Sequence, residues 1–329
     1  MKNLSIIGGG SWGTALAVVL APRFSRVKLW VYESDLAARM GETRINDIYL
    51  PAAPIPANVD CGSELGPCLE DADVVLGVMP SHLARGLYER MRPYINDRMI
   101  FVSATKGLEN HTLLRVSEVI HEVVGTDAVA VISGPSFAKE VARSEPTAVV
   151  AAAIDPELAA RVQTAFSGPT FRVYTSSDPI GVEIGGSIKN VVAIGAGVLH
   201  GMGLGHNAMA ALITRGLAEM TRLAVAMGGR QQTLAGLAGL GDLVLTCTGD
   251  LSRNRSLGIE LAKGRKLDEI VSSMTMVAEG VKTTNAAVDL AKRYAVEMPI
   301  AEQMFQMLHF GSSPQEAIRR LMERSLKGE

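Results

Sequence analysis

The sequence predicts an open α/β domain followed by an all-helical domain, on three observations. Short β-branched runs alternate with helical stretches in the first half, and these runs are apolar throughout, as in parallel strands covered on both faces. From about residue 180 long helical segments take over without a convincing alternation of strands. The length of 329 residues exceeds what one core usually serves. We place the boundary so that the domains are residues 1–178 and 179–329.

The individual elements follow from these patterns. The predicted strands are residues 4–7, 27–32, 74–78, 99–103, 129–133 and 147–152. The predicted helices of the second half are residues 182–198, 207–227, 253–263, 279–294 and 299–310. Because ligands of an open parallel sheet bind beyond the carboxyl ends of its strands, the loops that follow the strands are the first candidates for function.

Composition and charge exclude several classes of protein. A net charge of −2 provides no general basic field, so neither nucleic acid nor an anionic membrane surface is expected as a main partner. The first apolar run is too short for a signal peptide, and no uninterrupted apolar stretch approaches the roughly 18 residues of a membrane span. Cys61, Cys68 and Cys247 lack C-x-x-C spacing, which indicates reduced thiols in a cytoplasmic protein. The histidines lack metal-binding spacing, so we expect no metal.

A glycine motif follows the first predicted strand and precedes a helical stretch. Gly8, Gly10 and Gly13 form G-x-G-x-x-G, which lets a tight turn close and lets backbone N–H groups approach a pyrophosphate. Glu33 lies twenty residues beyond Gly13, where a carboxylate accepts hydrogen bonds from the ribose hydroxyls of a dinucleotide. Such an acid favours NAD over NADP, although Arg39 in the following helix could offset it. The alternative is a tight turn beside a solvated acid.

Three further loops follow predicted strand ends, at residues 79–82, 103–109 and 133–140. Lys106 comes soon after its strand and could reach an oxygen or a phosphate of a substrate. Its alternative is an ordinary surface lysine. Ser136 or its neighbours could cap a helix whose N–H groups face a cofactor, and the alternative is a plain N-cap.

Lys189 lies in the segment EIGGSIKN, residues 183–190, and shares a helix face with Gly185 and Gly186. A lysine that is desolvated by glycine and alkyl groups loses the hydration of its ammonium. Its pKa then falls toward the range useful for acid–base catalysis. The alternative is that Lys189 extends to solvent and that the glycines serve helix packing.

Residues 238–258 contain a second group of polar side chains. Asp242 has a glycine-lined, apolar setting and could hold Lys189 or a substrate hydroxyl, or it could cap a helix. Ser252 can cap the helix that begins there, and Arg253 beside that N-terminus would form an anion site suited to phosphate. The alternative for these residues is a solvated basic turn. Glu279 precedes another helix, where it could cap that helix or contact the nicotinamide side of a cofactor.

Taken together, these residues resemble the bacterial NAD(P)-dependent glycerol-3-phosphate dehydrogenases, within the larger group that contains 6-phosphogluconate dehydrogenase. The resemblance covers nearly the whole chain, and its motifs occur in the family's order: GGGSWGTALA, TKGLE, SGPSFAKEV, EIGGSIKNVVAIGAG, AGLGDLVLTCT, SRNRSLG and VAEGVKT. It implies a Rossmann-type domain with a helical C-terminal domain, usually as a homodimer. It also implies hydride transfer between NAD(P)H and C2 of dihydroxyacetone phosphate, giving sn-glycerol 3-phosphate for phospholipid synthesis.

The resemblance also implies site residues. Lys189 matches the catalytic lysine, and we expect Asp242 and Asn190 to orient it. For the substrate, the matching residues are Lys106, Gly134, Ser136, Lys189, Asp242, Ser252, Arg253 and Asn254. For the cofactor, the glycine turn and Glu33 are joined by Ser11, Trp12, Lys106, Ala138, Arg253, Val277 and Glu279.

Two points stay open at this stage. Many relatives have histidine or arginine where this chain has Tyr32, which leaves the choice between NAD and NADP undecided. The residues by themselves also allow a dehydrogenase of another hydroxy acid or sugar acid, or a non-catalytic dinucleotide sensor. The sensor gives no reason for Lys189, Asp242 and Arg253 to occur together.

Overall fold

The computed structural model describes residues 1–274 and 278–325. The chain divides into two compact units, Met1–Glu183 and Ile184–Glu329. The strands of the first unit are β1 Asn3–Ile7, β2 Arg26–Trp30, β3 Ile45–Asn46, β4 Leu50–Pro54, β5 Val59–Gly62, β6 Val74–Gly77, β7 Ile100–Ser103, β8 Val129–Ser133, β9 Thr147–Ala152 and β10 Phe171–Ser176. Its helices are α1 Ser11–Leu20, α2 Ser34–Thr43, α3 Leu65–Leu69, α4 Ala84–Met91, α5 Val116–Val124, α6 Ala138–Ala142 and α7 Pro156–Phe166.

Eight of these strands form one sheet in the order β10-β9-β8-β7-β6-β1-β2-β5, and β3 pairs with β4 in a separate hairpin. Every neighbouring pair in the large sheet is parallel except β8 and β9. The prediction of an open, mainly parallel sheet is therefore confirmed, but the direction of β9 relative to β8 differs. The connection between them contains only the five-residue helix α6, whereas a parallel crossover usually needs a longer helix.

Both faces of the sheet are covered, as the continuous apolar strands predicted. Neighbouring residues of β1 point to opposite faces, so Ile6 enters one apolar cluster and Ile7 enters the other. The first cluster includes Leu16 of α1 and Val162 of α7, and the second includes Val119 of α5. A sheet packed on both faces holds its strand ends rigidly, which is what the loops beyond them require.

Four strands were absent from the prediction, and their positions explain why. β5 and β10 are the two edge strands of the sheet, and each is only partly buried. Their residues therefore do not form continuous apolar runs. β3 and β4 form a short hairpin in which β4 is mostly exposed and contains proline at both ends of its apolar pair.

The second unit is helical throughout its described part, as predicted. Its helices are α8 Pro179–Gly201, which begins in the first unit, α9 His206–Ala226, α10 Gln231–Leu234, α11 Asp242–Thr248, α12 Arg253–Ala262, α13 Leu267–Ser272, α14 Glu279–Arg293, α15 Pro299–Phe310 and α16 Pro314–Met322. The prediction omitted α10, α11, α13 and α16, each of which has nine residues or fewer.

Helices α8 and α12 cross with their backbones in direct contact. A Cβ atom added to Gly197 of α8 would lie 2.0 Å from the carbonyl oxygen of Arg255, and one added to Gly258 of α12 would lie 2.0 Å from that of Ile194. No side chain fits at either position, so glycine on both helices sets how closely they approach.

The long helix α8 is apolar enough by length and composition to cross a membrane, since its mean hydropathy is 1.4 over an 18-residue window. All of that window is buried inside the protein, as in the core helix of a globular fold. Among the described residues a second candidate arises only if residues 231–248 and 253–262, which are bent by 46°, are taken together. Both are weak indications of a membrane span.

Glu219 of α9 is a buried carboxyl group that binds the start of α15. Its Oε1 accepts a hydrogen bond from Ile300 N (2.8 Å) and its Oε2 accepts one from Ala301 N (3.3 Å). Burial raises the pKa of Glu219 to about 7 although these two N–H groups oppose the shift. The group therefore changes its charge near neutral pH.

Glu219→Gln should remove a proton-linked part of the stability. Because the folded-state pKa of about 7 lies above the ordinary value of 4.5, the folded protein binds more protons between these values. The free energy of unfolding should then fall as pH rises through this window, by on the order of 3 kcal/mol, and the variant should lack this fall. Urea unfolding of the unmodified protein and of Glu219→Gln, at about pH 5 and about pH 8, measures this change in the free energy of unfolding. An equal difference between the two proteins at both pH values would contradict the prediction.

Candidate functional site

The turn between β1 and α1 depends on two of its glycines and is open at the third. Gly8 has a φ of +131°, and a Cβ there would lie 2.3 Å from the carbonyl oxygen of Val78. A Cβ on Gly13 would lie 1.8 Å from the carbonyl oxygen of Gly8. Gly10, in contrast, has no atom within 4 Å of such a position, and no side chain caps α1. The turn thus presents backbone N–H groups to open space, as binding of a pyrophosphate requires.

Ser11 and Trp12 form the first turn of α1. Trp12 Nε1 is buried and has no hydrogen-bond partner within residues 1–274 and 278–325. Buried N–H groups are nearly always paired in native proteins, so this donor fits a group that binds beside the turn. The glycine turn and Trp12 both suit a bound dinucleotide.

Glu33 follows β2 and occupies the N-cap position of α2. Its carboxylate does not cap the helix but accepts a hydrogen bond from Tyr49 Oη at 2.8 Å. Arg39, the cation that could offset Glu33, donates two hydrogen bonds of 3.1 Å to the carboxylate of Asp47. Sequence reasoning missed Tyr49 and Asp47, because the hairpin that contains them had not been predicted.

Lys106, Gly134 and Ser136 come together beyond the ends of β7 and β8. Lys106 Nζ donates to the carbonyl oxygen of Gly134 (3.0 Å) and approaches Ser136 Oγ (3.4 Å). Gly134 has a φ of +145°, and a Cβ there would lie 3.0 Å from Val149 Cα. The N-cap of α6 is its neighbour Phe137 and no side chain caps that helix, so capping by the Ser136 side chain, which both alternatives allowed, is wrong. Ala138 opens α6.

In the second unit, Lys189 is buried with only 5% of its surface exposed. Its Nζ donates to Asp242 Oδ1 at 2.6 Å and to Thr246 Oγ1 at 2.8 Å. Asp242 is itself 1% exposed. The alternative in which Lys189 extends to solvent is therefore wrong, and Asp242 holds the ammonium. Thr246 is a partner that the sequence analysis did not identify, although it lies one helical turn after Asp242.

Gly185 positions Asp242 through backbone packing. A Cβ on Gly185 would lie 2.6 Å from the carbonyl oxygen of Ala238, which lies in the π-helical turn Leu237–Gly241. That turn leads directly into α11, whose first residue is Asp242. Helix packing, the alternative interpretation of the glycines, is thus correct for Gly185. The packing in turn places the partner of Lys189.

The start of α12 contains the predicted anion-binding residues. Ser252 Oγ accepts a hydrogen bond from Arg255 N at 3.3 Å, which confirms Ser252 as the N-cap. Asn254 donates to Asn190 Oδ1 (2.9 Å) and accepts from Gly280 N (2.9 Å). The expectation that Asn190 orients Lys189 is not supported, because its side-chain oxygen anchors Asn254.

Arg253 is the first residue of α12 and is exposed at that N-terminus. Partial desolvation lowers the pKa of Arg253, and the nearby charge of Glu279 opposes this shift. Glu279 is the first residue of α14. Val277 lies outside the described residues.

Arg255, two residues further along α12, is buried and was not predicted to belong to a site. Its Nη1 donates to Asp250 (3.0 Å), and its Nε has no hydrogen-bond partner in the described part of the chain. Among the same residues no group of three or more His, Cys, Asp or Glu side chains could hold a metal ion.

Comparison with known proteins gives consistent matches along the chain. The family models described as NAD-dependent glycerol-3-phosphate dehydrogenase N-terminus and C-terminus match residues 3–159 and 178–319. A glycerol-3-phosphate dehydrogenase (NAD(P)+) of Koribacter versatilis is 56% identical over 98% of both chains. One of Syntrophotalea carbinolica is 52% identical over 99% of both. The crystal structure of glycerol-3-phosphate dehydrogenase from Coxiella burnetii has a TM-score of 0.94 and 43% identity, covering 98% of this chain and 99% of that chain.

Gly185→Ala should lower both stability and turnover. The added methyl group must displace the Ala238 carbonyl and with it the turn that precedes Asp242, which should cost roughly 1–3 kcal/mol. Urea unfolding and steady-state kinetics measure the two effects. Gly86→Ala in α4 is the control, because an added Cβ there meets no atom within 4 Å. Equal stabilities of the two variants would show that Gly185 is not packed as described.

Proposed function

Because the chain belongs to the NAD-dependent glycerol-3-phosphate dehydrogenase family, we propose that it interconverts dihydroxyacetone phosphate and sn-glycerol 3-phosphate with NAD(P)H or NAD(P)+. Family membership confirms the resemblance that its motifs carried. The observation that supports this reaction best is the buried Lys189, whose Nζ donates hydrogen bonds to Asp242 and Thr246 within a helical core. Burying an ammonium with its own carboxylate partner is costly, and such buried charged groups are concentrated at functional sites.

We propose that the glycine turn holds the cofactor pyrophosphate and that Glu33 binds the adenosine ribose. The nicotinamide, when bound, supplies the hydride for C2 of the substrate. The orphaned Trp12 Nε1 and the open space at Gly10 support this placement. The further residues proposed to contact the cofactor are Gly8, Ser11, Gly13, Lys106, Ala138, Arg253, Val277 and Glu279.

Lys189 is the proposed general acid for reduction. Addition of hydride to C2 leaves negative charge on the former carbonyl oxygen, and Lys189 Nζ–H donates its proton to that oxygen. The carboxylate of Asp242, 2.6 Å from Nζ, stabilises the ammonium before transfer and fixes its direction. Thr246 Oγ1 accepts a second hydrogen bond from Nζ at 2.8 Å, which further fixes the direction of the ammonium. In the oxidative direction the neutral amine accepts the proton from the hydroxyl group.

Arg253 is the proposed phosphate ligand. It lies at the first position of a ten-residue helix whose backbone N–H groups and partial positive charge favour an anion. Holding the phosphate places C2 of the substrate for reaction. The other residues proposed to contact the substrate are Lys106, Gly134, Ser136, Lys189, Asp242, Ser252 and Asn254.

The remaining assignments are proposals that rest on the family resemblance. Residues 1–178 form the dinucleotide-binding domain and residues 179–329 the domain that binds substrate and carries the acid. The enzyme acts as a cytoplasmic homodimer, and its product feeds phospholipid synthesis.

The activity is tested by the absorbance of the reduced nicotinamide on addition of dihydroxyacetone phosphate. Dihydroxyacetone without its phosphate and other hydroxy acids or sugar acids serve as comparisons. Oxidation of the cofactor that requires the phosphate supports the proposed reaction. Turnover of another acid without a phosphate would contradict it, and binding of the dinucleotide without any turnover would indicate a sensor.

Lys189→Ala should reduce kcat by about 10²–10⁴-fold, since the variant lacks the proton donor. Binding of NADH should change little. Stopped-flow turnover and fluorescence titration of NADH measure the two effects. Lys263→Ala is a matched control, because that lysine is exposed and paired with Glu260. Near-normal turnover in Lys189→Ala would refute the catalytic assignment.

Arg253→Ala should raise the KM for dihydroxyacetone phosphate by about 10–100-fold, because one or more charge-assisted hydrogen bonds to the phosphate are lost. Initial rates over a range of substrate concentrations measure KM. Arg265→Ala, which removes another exposed arginine of the second unit, should leave KM unchanged. If both variants keep the KM of the unmodified enzyme, the phosphate lies elsewhere.

A further inference from the structure

We propose that the β3–β4 hairpin makes this enzyme select NADH over NADPH, with Tyr49 and Asp47 as the positioning residues. The inference rests on the proposed use of a nicotinamide dinucleotide and concerns which of the two is bound. It goes beyond Glu33, because a lone acid after β2 neither keeps a fixed direction nor prevents a nearby arginine from binding a phosphate.

The hairpin is fixed to the glycine turn by Asn46. This residue is fully buried, and its Nδ2 donates to the carbonyl oxygen of Gly9 and to Thr14 Oγ1, both at 2.8 Å. Its Oδ1 accepts a hydrogen bond from Tyr49 N at 3.0 Å. The backbone of Tyr49 is thereby tied to the turn proposed to hold the pyrophosphate.

Tyr49 in turn fixes the carboxylate of Glu33. The 2.8 Å hydrogen bond from Tyr49 Oη to Glu33 Oε1 raises the pKa of the tyrosine, as expected for a donor to a carboxylate. One carboxylate oxygen is thus held by the protein, and the other oxygen remains for the ribose hydroxyls. A carboxylate in this place accepts hydrogen bonds from hydroxyl groups but repels a 2′-phosphate.

Asp47 forms an ion pair with Arg39, the cation that could offset the charge of Glu33. Arg39 is the basic residue of α2, six residues after Glu33, and is the candidate on that helix to bind a 2′-phosphate. Both of its hydrogen bonds of 3.1 Å run instead to the Asp47 carboxylate. A bidentate pair of this kind fixes the direction of the guanidinium. The hairpin therefore orients Glu33, whose carboxylate repels a 2′-phosphate. It also pairs with Arg39, which would otherwise attract one.

The test compares dissociation constants of NADH and NADPH without substrate, by fluorescence titration, together with the ratio of kcat/KM for the two cofactors. The unmodified enzyme should bind NADH at least about tenfold more tightly. Tyr49→Phe should weaken NADH binding by about fivefold, the effect of one hydrogen bond. Asp47→Asn should strengthen NADPH binding by up to about fivefold and leave NADH binding unchanged, because it releases Arg39 from a half-exposed ion pair.

Two controls separate selectivity from structural damage. Asp60→Asn removes the exposed ion pair with Arg26 at the β2–β5 edge, and Tyr174→Phe removes an exposed hydroxyl on β10. Neither should change the NADH to NADPH ratio, and all variants should keep the thermal midpoint of the unmodified enzyme to within a few degrees.

Equal binding of NADH and NADPH by the unmodified enzyme would overturn the inference. So would an unchanged ratio in both Tyr49→Phe and Asp47→Asn. Selective binding of NADH without reduction of dihydroxyacetone phosphate would contradict the proposed reaction but would support the selectivity, since selectivity is measured by binding alone. If neither dinucleotide binds, both proposals fail.

Discussion

An ammonium group buried in a helical core needs a counter-charge, and the second unit is built around that requirement. Removing one partner of a buried ion pair typically costs about 3–5 kcal/mol, because the other charge is left unpaired. Lys189 therefore depends on Asp242, and Asp242 depends on the π-helical turn before it. Gly185 allows that turn to pack against α8. One electrostatic requirement thus explains a glycine, an irregular helical turn and a threonine that shares the ammonium.

Helix α8 also contacts α12, whose N-terminus is the proposed phosphate site. Gly197 and Gly258 allow α12 to cross α8 at backbone distance, and Asn190 of α8 holds Asn254 of α12. Asn254 also accepts the N–H of Gly280 at the start of α14. Lys189, the proposed proton donor, and the proposed anion-binding helix terminus are therefore anchored to one rigid helix. Such rigidity is what keeps a phosphate and a reacting carbonyl at a fixed separation.

In the first unit the constraint is the parallel sheet. Parallel neighbours place their carboxyl ends at the same edge, so β1, β2, β7 and β8 deliver the glycine turn, Glu33, Lys106 and Gly134 to one side of the sheet. The sheet alone does not orient these groups. The hairpin β3–β4 orients Glu33, and the pair of Gly134 and Ser136 orients Lys106. The strands thus bring these side chains to one edge of the sheet, and the hairpin and the loop after β8 orient them.

The sequence by itself predicted the order of the two folds and the glycine turn, and it offered the N-cap at Ser252 and the burial of Lys189 as one of two alternatives each. These depend on local properties: continuous apolar runs, glycine where the backbone closes on itself, and a hydroxyl before a helix. Motif order along the whole chain added the family. Edge strands β5 and β10 escaped notice because partial exposure removes the continuous apolar pattern. The antiparallel direction of β9 depends on the short connection after β8, not on the apolar pattern of the strand itself.

Only the tertiary structure decided which side chains meet. Thr246, Tyr49 and Asp47 carry no distinguishing pattern of their own. Thr246 is 57 residues from its partner Lys189, and Tyr49 and Asp47 lie in a hairpin without a strong propensity. Asn190 shows the same limit, since its neighbour Lys189 suggested one partner and packing provided another. Sequence patterns report the free energy of local conformation and burial. The pairing of polar groups depends on distances that arise only when separate elements pack together.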